Sequence, residues 1–182
     1  MIKKYPLSVE QHREALIRRR LKFVVEKGAM ARLFKQGTNS ELQQELYHRL
    51  DISLISKIST REEYDAWLIK TIELDCCAKY SRIGIENDRW GYFAKLINIV
   101  IYEIVSNREL FAEEDWMRIR PFLHIPIDGN VNYHLYRIDP SFPIFVTLKY
   151  MSKQEYIDFQ KQVRKLGEKY DLPPIWFEAA WS

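Results

Sequence analysis

Apolar residues recur at helical spacing along most of the chain, and the strongest such stretch runs from Arg89 to Val105. Six of its apolar residues share one helix face, at the i, i+3, i+4 and i+7 positions: Phe93, Leu96, Ile97, Val100, Ile101 and Ile104. The opposite face is also mostly apolar, since Tyr92, Ile99 and Tyr102 lie there beside Lys95. The pattern therefore predicts a central helix that is surrounded by protein on all sides.

Capping boxes, in which Ser or Thr is followed three residues later by Glu or Gln, predict the starts of further helices. They occur at Ser8, Thr38, Ser59 with Thr60, and Ser152, while Asp128 is placed to cap another helix. We expect helices from Ser8 to near Gly28 or Gly37, over Glu41–Leu50, Arg61–Tyr80 and 112–120, from Asp128 through Arg137, and from Ser152 to about Tyr170.

Strand signals are few, because Ile144–Leu148 is the only good candidate and one strand makes no sheet. With 182 residues and 47% apolar content, the chain suits one helical domain over residues 1–182, built as two lobes around a cleft or as one body. We predict an all-α fold.

The composition argues against several classes of protein. No apolar run reaches the roughly 18 residues that span a membrane, and the first residues lack the apolar core of a secretory signal. Cys76 and Cys77 are adjacent on a predicted helix, so they suit neither a disulfide framework nor a zinc site. We expect a cytoplasmic protein of bacterial or phage origin that has no membrane contact.

Positive charge is concentrated at the start of the chain. The net charge of the whole chain is +3, whereas residues 1–35 contain ten basic and three acidic side chains. Arg18, Arg19, Arg20 and Lys22 are therefore candidates to contact the phosphates of a nucleic acid. A solvated basic helix face explains the same pattern equally well.

Familiar catalytic signatures are missing from the sequence, which has no glycine-rich phosphate loop, G-x-S-x-G, H-E-x-x-H or C-x-x-C. His124 and His134, with Asp128 between them, match no compact metal-ligand spacing. We therefore predict neither a metal nor a cofactor.

Lys95 and Asp128 are the best candidates for chemistry. Burial favours the neutral form of an amine, and a neutral lysine can attack an anomeric carbon while a carboxylate stabilises the developing oxocarbenium charge. We expect the two side chains to line one pocket although they are 33 positions apart. We also expect Lys95→Gln to keep the fold, because it removes a buried charge. Each residue has a structural explanation too: Lys95 can extend its ammonium to water, and Asp is a common N-cap.

Two runs carry a resemblance to a known family. Phe93–Asn98, FAKLIN, and Ile125–Val131, IPIDGNV, resemble the paired catalytic segments of helix-hairpin-helix DNA glycosylases, and most closely the archaeal 8-oxoguanine branch. That family is all-α with two lobes around a cleft. It flips a damaged base out of DNA, cleaves the N-glycosidic bond with a lysine and can nick the strand through a Schiff base. The resemblance implies a nucleophilic Lys95 and an acidic partner in Asp128.

The resemblance also implies a DNA partner and a substrate site. Asn98 would orient the lysine, and Trp90, Tyr92 and Tyr133 would stack on a flipped base. The L-P-G-V-G hairpin of the family is absent, and Gly84–Gly91 stands in its place. The alternative hypothesis is a non-enzymatic helical module of phage or mobile-element origin that binds nucleic acid or a protein.

Overall fold

The structure is a computed structural model, and it describes residues 8–26, 34–74, 79–80, 90–144 and 147–181. The described residues form α-helices and short 3-10 helices, and they contain no β-strand. The predicted all-α fold is therefore confirmed.

Eight α-helices are present in the described part of the chain: α1 Val9–Glu26, α2 Asn39–Arg49, α3 Ile52–Ile55, α4 Arg61–Ile72, α5 Trp90–Val105, α6 Glu113–Ile119, α7 Gly129–Ile138 and α8 Lys153–Tyr170. Three 3-10 helices accompany them: Arg120–Phe122, Leu148–Tyr150 and Pro174–Trp181.

Most of the predicted helix caps are present. The side chains of Ser8 and Gln11 each bond to the other's backbone N–H, and complete capping boxes begin α4 at Thr60 and α8 at Ser152. The box predicted at Thr38 is wrong. Thr38 has a helix-like backbone, and its hydroxyl donates to the Lys35 carbonyl at 2.7 Å instead of accepting from the helix.

Three element boundaries differ from the prediction. Helix α4 ends at Ile72 instead of Tyr80. Near this end the Thr71 hydroxyl donates to the Trp67 carbonyl, and such a bond weakens the backbone hydrogen bonds of the helix. A short helix, α3, lies between Leu50 and Arg61, where no helix was predicted. Leu148, the last residue of the candidate strand, begins a 3-10 helix. The adjacent cysteines and most of the segment Gly84–Gly91 lie outside the described residues.

Helix α5 lies at the centre of the fold, as the sequence predicts. It contacts α1, α4, α8 and the 3-10 helix Leu148–Tyr150, and none of its residues is exposed. The approach is closest at Gly91, where a Cβ atom would lie 2.6 Å from the Leu148 carbonyl oxygen. Gly91 thus serves the packing of α5 against the 3-10 helix.

Polar contacts hold α1 to the end of α5 and the turn that follows it. His12 Nε2 lies 2.8 Å from a carboxylate oxygen of Glu109, and Arg20 lies 3.1 Å from Glu103. Arg13 also donates to the Leu110 carbonyl at 3.0 Å. The basic first helix is therefore joined to acidic residues of the middle of the chain.

The aromatic segment that follows α8 packs onto the body of the protein. Ile175 and Phe177 are buried, and the 3-10 helix Pro174–Trp181 contacts α7 and α8. None of the described helices is long and apolar enough to cross a membrane.

Candidate functional site

Lys95 and Asp128 meet in the structure. Lys95 Nζ donates to Asp128 Oδ2 at 2.8 Å, and the two side chains are 15% and 31% exposed. Helix α5 supplies the lysine from within the fold, whereas Asp128 stands at the start of α7. The two side chains therefore meet, whereas the pocket that they were expected to share and their catalytic role stay predictions.

The two carboxylate oxygens of Asp128 have different partners. Oδ2 accepts from Lys95, while Oδ1 accepts from the backbone N–H of Val131 at 2.8 Å and caps α7. Burial of the Asp128 carboxyl group opposes its ionisation, but the hydrogen bonds from Lys95 and the backbone outweigh this effect and lower its pKa. Asp128 is consequently an anion over the neutral pH range, in a fixed orientation.

The pairing changes one expectation about Lys95. The expectation that Lys95→Gln removes a costly buried charge assumed an ammonium without a partner. In the structure the ammonium faces a carboxylate, so its removal leaves Asp128 half-buried without its cation.

The predicted stacking and orienting residues lie in different environments. Asn98 is 2% exposed and donates to the Tyr156 hydroxyl at 2.7 Å, so this bond directs its amide to the core and not to Lys95. Trp90 packs on the same tyrosine, with 5.0 Å between the ring centroids. Tyr92 is half-buried, whereas Tyr133 is 58% exposed on α7.

A buried polar network, which the sequence did not predict, surrounds Tyr156. It consists of Asn98, Tyr156, His124, Asp65 and Arg164, and we call it the Tyr156 network. The Tyr156 hydroxyl lies 2.9 Å from His124 Nδ1, and His124 Nε2 lies 2.8 Å from Asp65. Arg164 completes the network 3.1 Å from Asp65. These contacts join three helices, α4, α5 and α8, and the segment between Phe122 and α7 that contains His124.

The donors of the Tyr156 network fix its direction. Because the Asp65 carboxylate can only accept, His124 Nε2–H donates to it, and a neutral His124 then accepts at Nδ1 from the Tyr156 hydroxyl, whose oxygen accepts from Asn98. This assignment requires a neutral imidazole. Burial lowers the pKa of His124 despite the neighbouring Asp65 carboxylate, which agrees with that neutral form.

Two buried polar atoms beside Tyr156 have no hydrogen-bond partner among the described residues, namely Trp90 Nε1 and Asn98 Oδ1. One sequence signal points to this region: His124 is the single ionisable residue in the apolar run 121–127. Its partners Asp65 and Tyr156 lie 59 and 32 positions away, so sequence spacing could not identify them.

The basic residues of α1 are largely paired within the protein. Arg18 bonds to Glu14 at 2.9 Å and lies over the Tyr47 ring, Arg20 bonds to Glu103, and Lys22 lies 3.9 Å from Glu26. Arg19 is exposed. Three of the four residues predicted to contact phosphates thus have carboxylate partners within the protein.

A groove of about 670 Å³ lies between α8 and the segment before it, and neither Lys95 nor Asp128 lines it. Its floor is apolar, with Met151 and Phe159, and its acidic residues are Glu155 and Asp158. Glu155 accepts from the backbone of Ser152, and Asp158 accepts from Gln154 and Lys161. Because these carboxylates already serve the helix, the groove offers no converging groups for catalysis.

Within the described ranges, no group of three or more His, Cys, Asp or Glu side chains converges to hold a metal ion. A scan against the models of known protein families gave no match to the chain, and searches of curated proteins and of solved structures gave none either.

Proposed function

We propose that the protein is a DNA glycosylase-like enzyme that removes a damaged base through Lys95 and Asp128. The observation that carries the proposal is the 2.8 Å contact between Lys95 Nζ and Asp128 Oδ2, two residues that lie in the two runs that resemble the glycosylase family. The base is of the 8-oxoguanine type, by the same resemblance.

In the proposed reaction, Lys95 Nζ attacks the anomeric carbon of the nucleotide and the N-glycosidic bond breaks. The bonding electrons leave with the base, which takes up a proton. Lys95 gives one proton to solvent before the attack, and the alkylated amine gives up a second proton to solvent afterwards. The bond between the anomeric carbon and the ring oxygen then breaks, the ring oxygen takes up a proton, and an imine, the Schiff base, forms. The neighbouring carboxylate stabilises the positive charge that develops on the sugar.

The position of the pair suits these steps. Burial raises the pKa of Asp128, but the hydrogen bonds from Lys95 and the α7 backbone lower it by more. The carboxylate therefore stays ionised beside the developing charge. Capping of α7 through Oδ1 fixes the carboxylate, so little reorganisation is needed during the reaction.

Borohydride trapping tests the proposal directly. The protein is incubated with duplex and single-stranded DNA that contains 8-oxoguanine or an abasic site, and borohydride then reduces any imine to a stable amine. We expect a covalent complex with the parent protein and none with Lys95→Gln. The matched control is Lys153→Gln, which removes a lysine from an exposed ion pair with Glu73 and should trap as the parent does.

The same experiment has two outcomes that contradict the proposal. A parent protein that never traps on any of these lesions would exclude the lysine mechanism. Trapping that persists in Lys95→Gln would place the nucleophile at another amine.

A non-enzymatic helical module that binds nucleic acid or a protein is the second candidate. The observation that favours it is the pairing of the Lys95 ammonium with a carboxylate inside the protein, as in a structural ion pair. Under this hypothesis Lys95→Gln lowers the stability of the fold but leaves the affinity for partners unchanged.

A further inference from the structure

Three arginines from separate elements line one cavity of about 350 Å³. They are Arg61 at the start of α4, Arg120 in the turn after α6, and Arg164 on α8. The remaining wall is Pro121 and the segment 167–174. We call this space the arginine cavity.

Only one of the three guanidinium groups has a carboxylate partner in the described structure. Arg164 lies 3.1 Å from Asp65. Arg61 donates to the Pro121 carbonyl at 3.3 Å, and Arg120 lies over the Trp176 ring, with 4.9 Å from its central carbon to the ring centroid. Two positive charges beside the cavity are thus left without a counter-charge in direct contact.

Two nitrogens of these arginines are also buried without an acceptor in the described residues, namely Arg61 Nη1 and Arg120 Nε. A buried donor without an acceptor is costly, and native proteins usually supply one. Glu168 and Asp171 line the rim, but both are exposed and neither forms an ion pair with the three arginines. An anion in the cavity would supply the missing counter-charge. The two buried nitrogens have almost no accessible surface, so the arginine side chains would have to turn for these nitrogens to donate to it.

We propose that the arginine cavity binds a phosphate group. Guanidinium groups bind phosphate through paired N–H donors, and three that approach from different elements suit a tetrahedral oxyanion better than a planar carboxylate. The phosphate belongs either to a nucleic-acid strand or to a small phosphorylated molecule. The cavity shares no lining residue with the Lys95–Asp128 pair, so its role is independent of the proposed glycosylase chemistry.

The test measures binding of inorganic pyrophosphate to the full chain by calorimetry. The informative variant is Arg120→Gln, because Arg120 has no ion pair among the described residues. The control is Arg108→Gln, since Arg108 also lies over a tryptophan, Trp116 at 4.7 Å, but at another place in the fold, where it pairs with Glu113 at 3.4 Å. We expect Arg120→Gln to weaken binding about tenfold or more, as for loss of a hydrogen bond to a charged group, and Arg108→Gln to bind as the parent does.

A second arm identifies the source of the phosphate. A fluorescent single-stranded oligonucleotide is titrated by anisotropy at several salt concentrations, with pyrophosphate as competitor. If the phosphate comes from nucleic acid, Arg120→Gln weakens this binding too and reduces the salt slope by about 0.7. If the oligonucleotide does not bind while pyrophosphate does, the ligand is a small phosphorylated molecule.

Two results would overturn the proposal. The first is that the parent does not bind pyrophosphate up to about 10 mM, which places Kd well above the affinity range of specific sites. The second is that Arg120→Gln and Arg108→Gln weaken pyrophosphate binding equally. Circular dichroism shows whether each variant is folded. Arg120→Lys, which keeps the charge but not the fork of donors, should bind with intermediate affinity if Arg120→Gln proves unstable. Lys95→Gln should bind pyrophosphate unchanged, so this test and the trapping test fail separately.

Discussion

Asp128 is the residue on which both the fold and the candidate site depend. One carboxylate oxygen caps α7 and the other accepts a hydrogen bond from Lys95, so a single side chain joins the start of α7 to the central helix. A substitution at Asp128 therefore changes two interactions, and the two must be separated before any effect is assigned to catalysis.

A double-mutant cycle between Lys95 and Asp128 separates these interactions. We predict that Lys95→Gln lowers the free energy of unfolding by about 1–3 kcal/mol, because it leaves a half-buried carboxylate without its cation. Asp128→Asn keeps a residue that caps helices well, so its cost comes mainly from the unpaired ammonium. Urea denaturation of the parent, both single variants and the double variant gives the coupling energy.

The double variant should lose less stability than the sum of the two single changes, since it removes both charges together. Strict additivity would show that the 2.8 Å contact contributes nothing to the stability of the fold.

At the scale of elements, glycines mark where helices approach other backbone most closely. A Cβ atom at Gly91 would lie 2.6 Å from the Leu148 carbonyl oxygen, and one at Gly167 would lie 2.5 Å from the Leu172 carbonyl oxygen. Gly129, the first residue of α7, has no atom within 4 Å of the corresponding position. Only the first two positions require the absence of a side chain.

We predict opposite effects of Gly→Ala at these sites. Gly91→Ala and Gly167→Ala should each destabilise the protein by about 1–3 kcal/mol, because the added methyl group meets rigid backbone. Gly129→Ala should stabilise it by about 0.4–1 kcal/mol, because it restricts the unfolded chain without a clash. Thermal unfolding of the three variants measures both signs, and a stabilising Gly167→Ala would show that the end of α8 can move away from Leu172.

Local sequence signals predicted the elements well and the contacts between them poorly. The central helix and the caps at Ser8, Thr60 and Ser152 depend on residues within one or two turns, so the sequence pattern predicts them. Thr38 has the same signature but a different backbone conformation, which the sequence pattern does not encode.

In the candidate site, too, local patterns were predicted better than contacts between distant parts of the chain. Lys95 and Asp128 were expected to line one pocket because both residues lie in recognisable runs, whereas their direct contact is a finding of the structure. The partners of His124 were not predicted, since contacts across 59 and 32 positions depend on how whole helices pack. The internal pairing of Arg20 with Glu103 was missed for the same reason.

For the whole molecule, the Tyr156 network predicts how stability depends on pH. Burial lowers the pKa of His124 in the folded protein, whereas an unfolded histidine titrates near about 6.5. Above about pH 6.5, His124 is neutral in both the folded and the unfolded protein, so it does not make the free energy of unfolding depend on pH. Below this pH the unfolded chain binds a proton that the folded chain does not, so stability falls as the pH decreases towards the folded pKa.

We therefore predict that the free energy of unfolding decreases as the pH is lowered below about 6.5, with a contribution from His124 of at most about 1.4 kcal/mol per pH unit. Urea denaturation across this range measures the slope. His124→Gln should be less stable at pH 7 but show a shallower slope, while His48→Gln, a change at an exposed histidine, should keep the slope of the parent. Equal slopes in all three proteins would contradict a neutral buried His124.

The contacts of α1 with the end of α5 also bear on how the chain folds during its synthesis. Arg20 and His12 find their acidic partners 83 and 97 positions later, so the first helix leaves the ribosome well before Glu103 and Glu109 exist. At about 5–20 residues per second the interval for Arg20 is roughly 4–17 s. For that time the nascent first helix presents Arg20 and His12 beside ribosomal RNA without these two partners, which the central helix and the turn after it later supply.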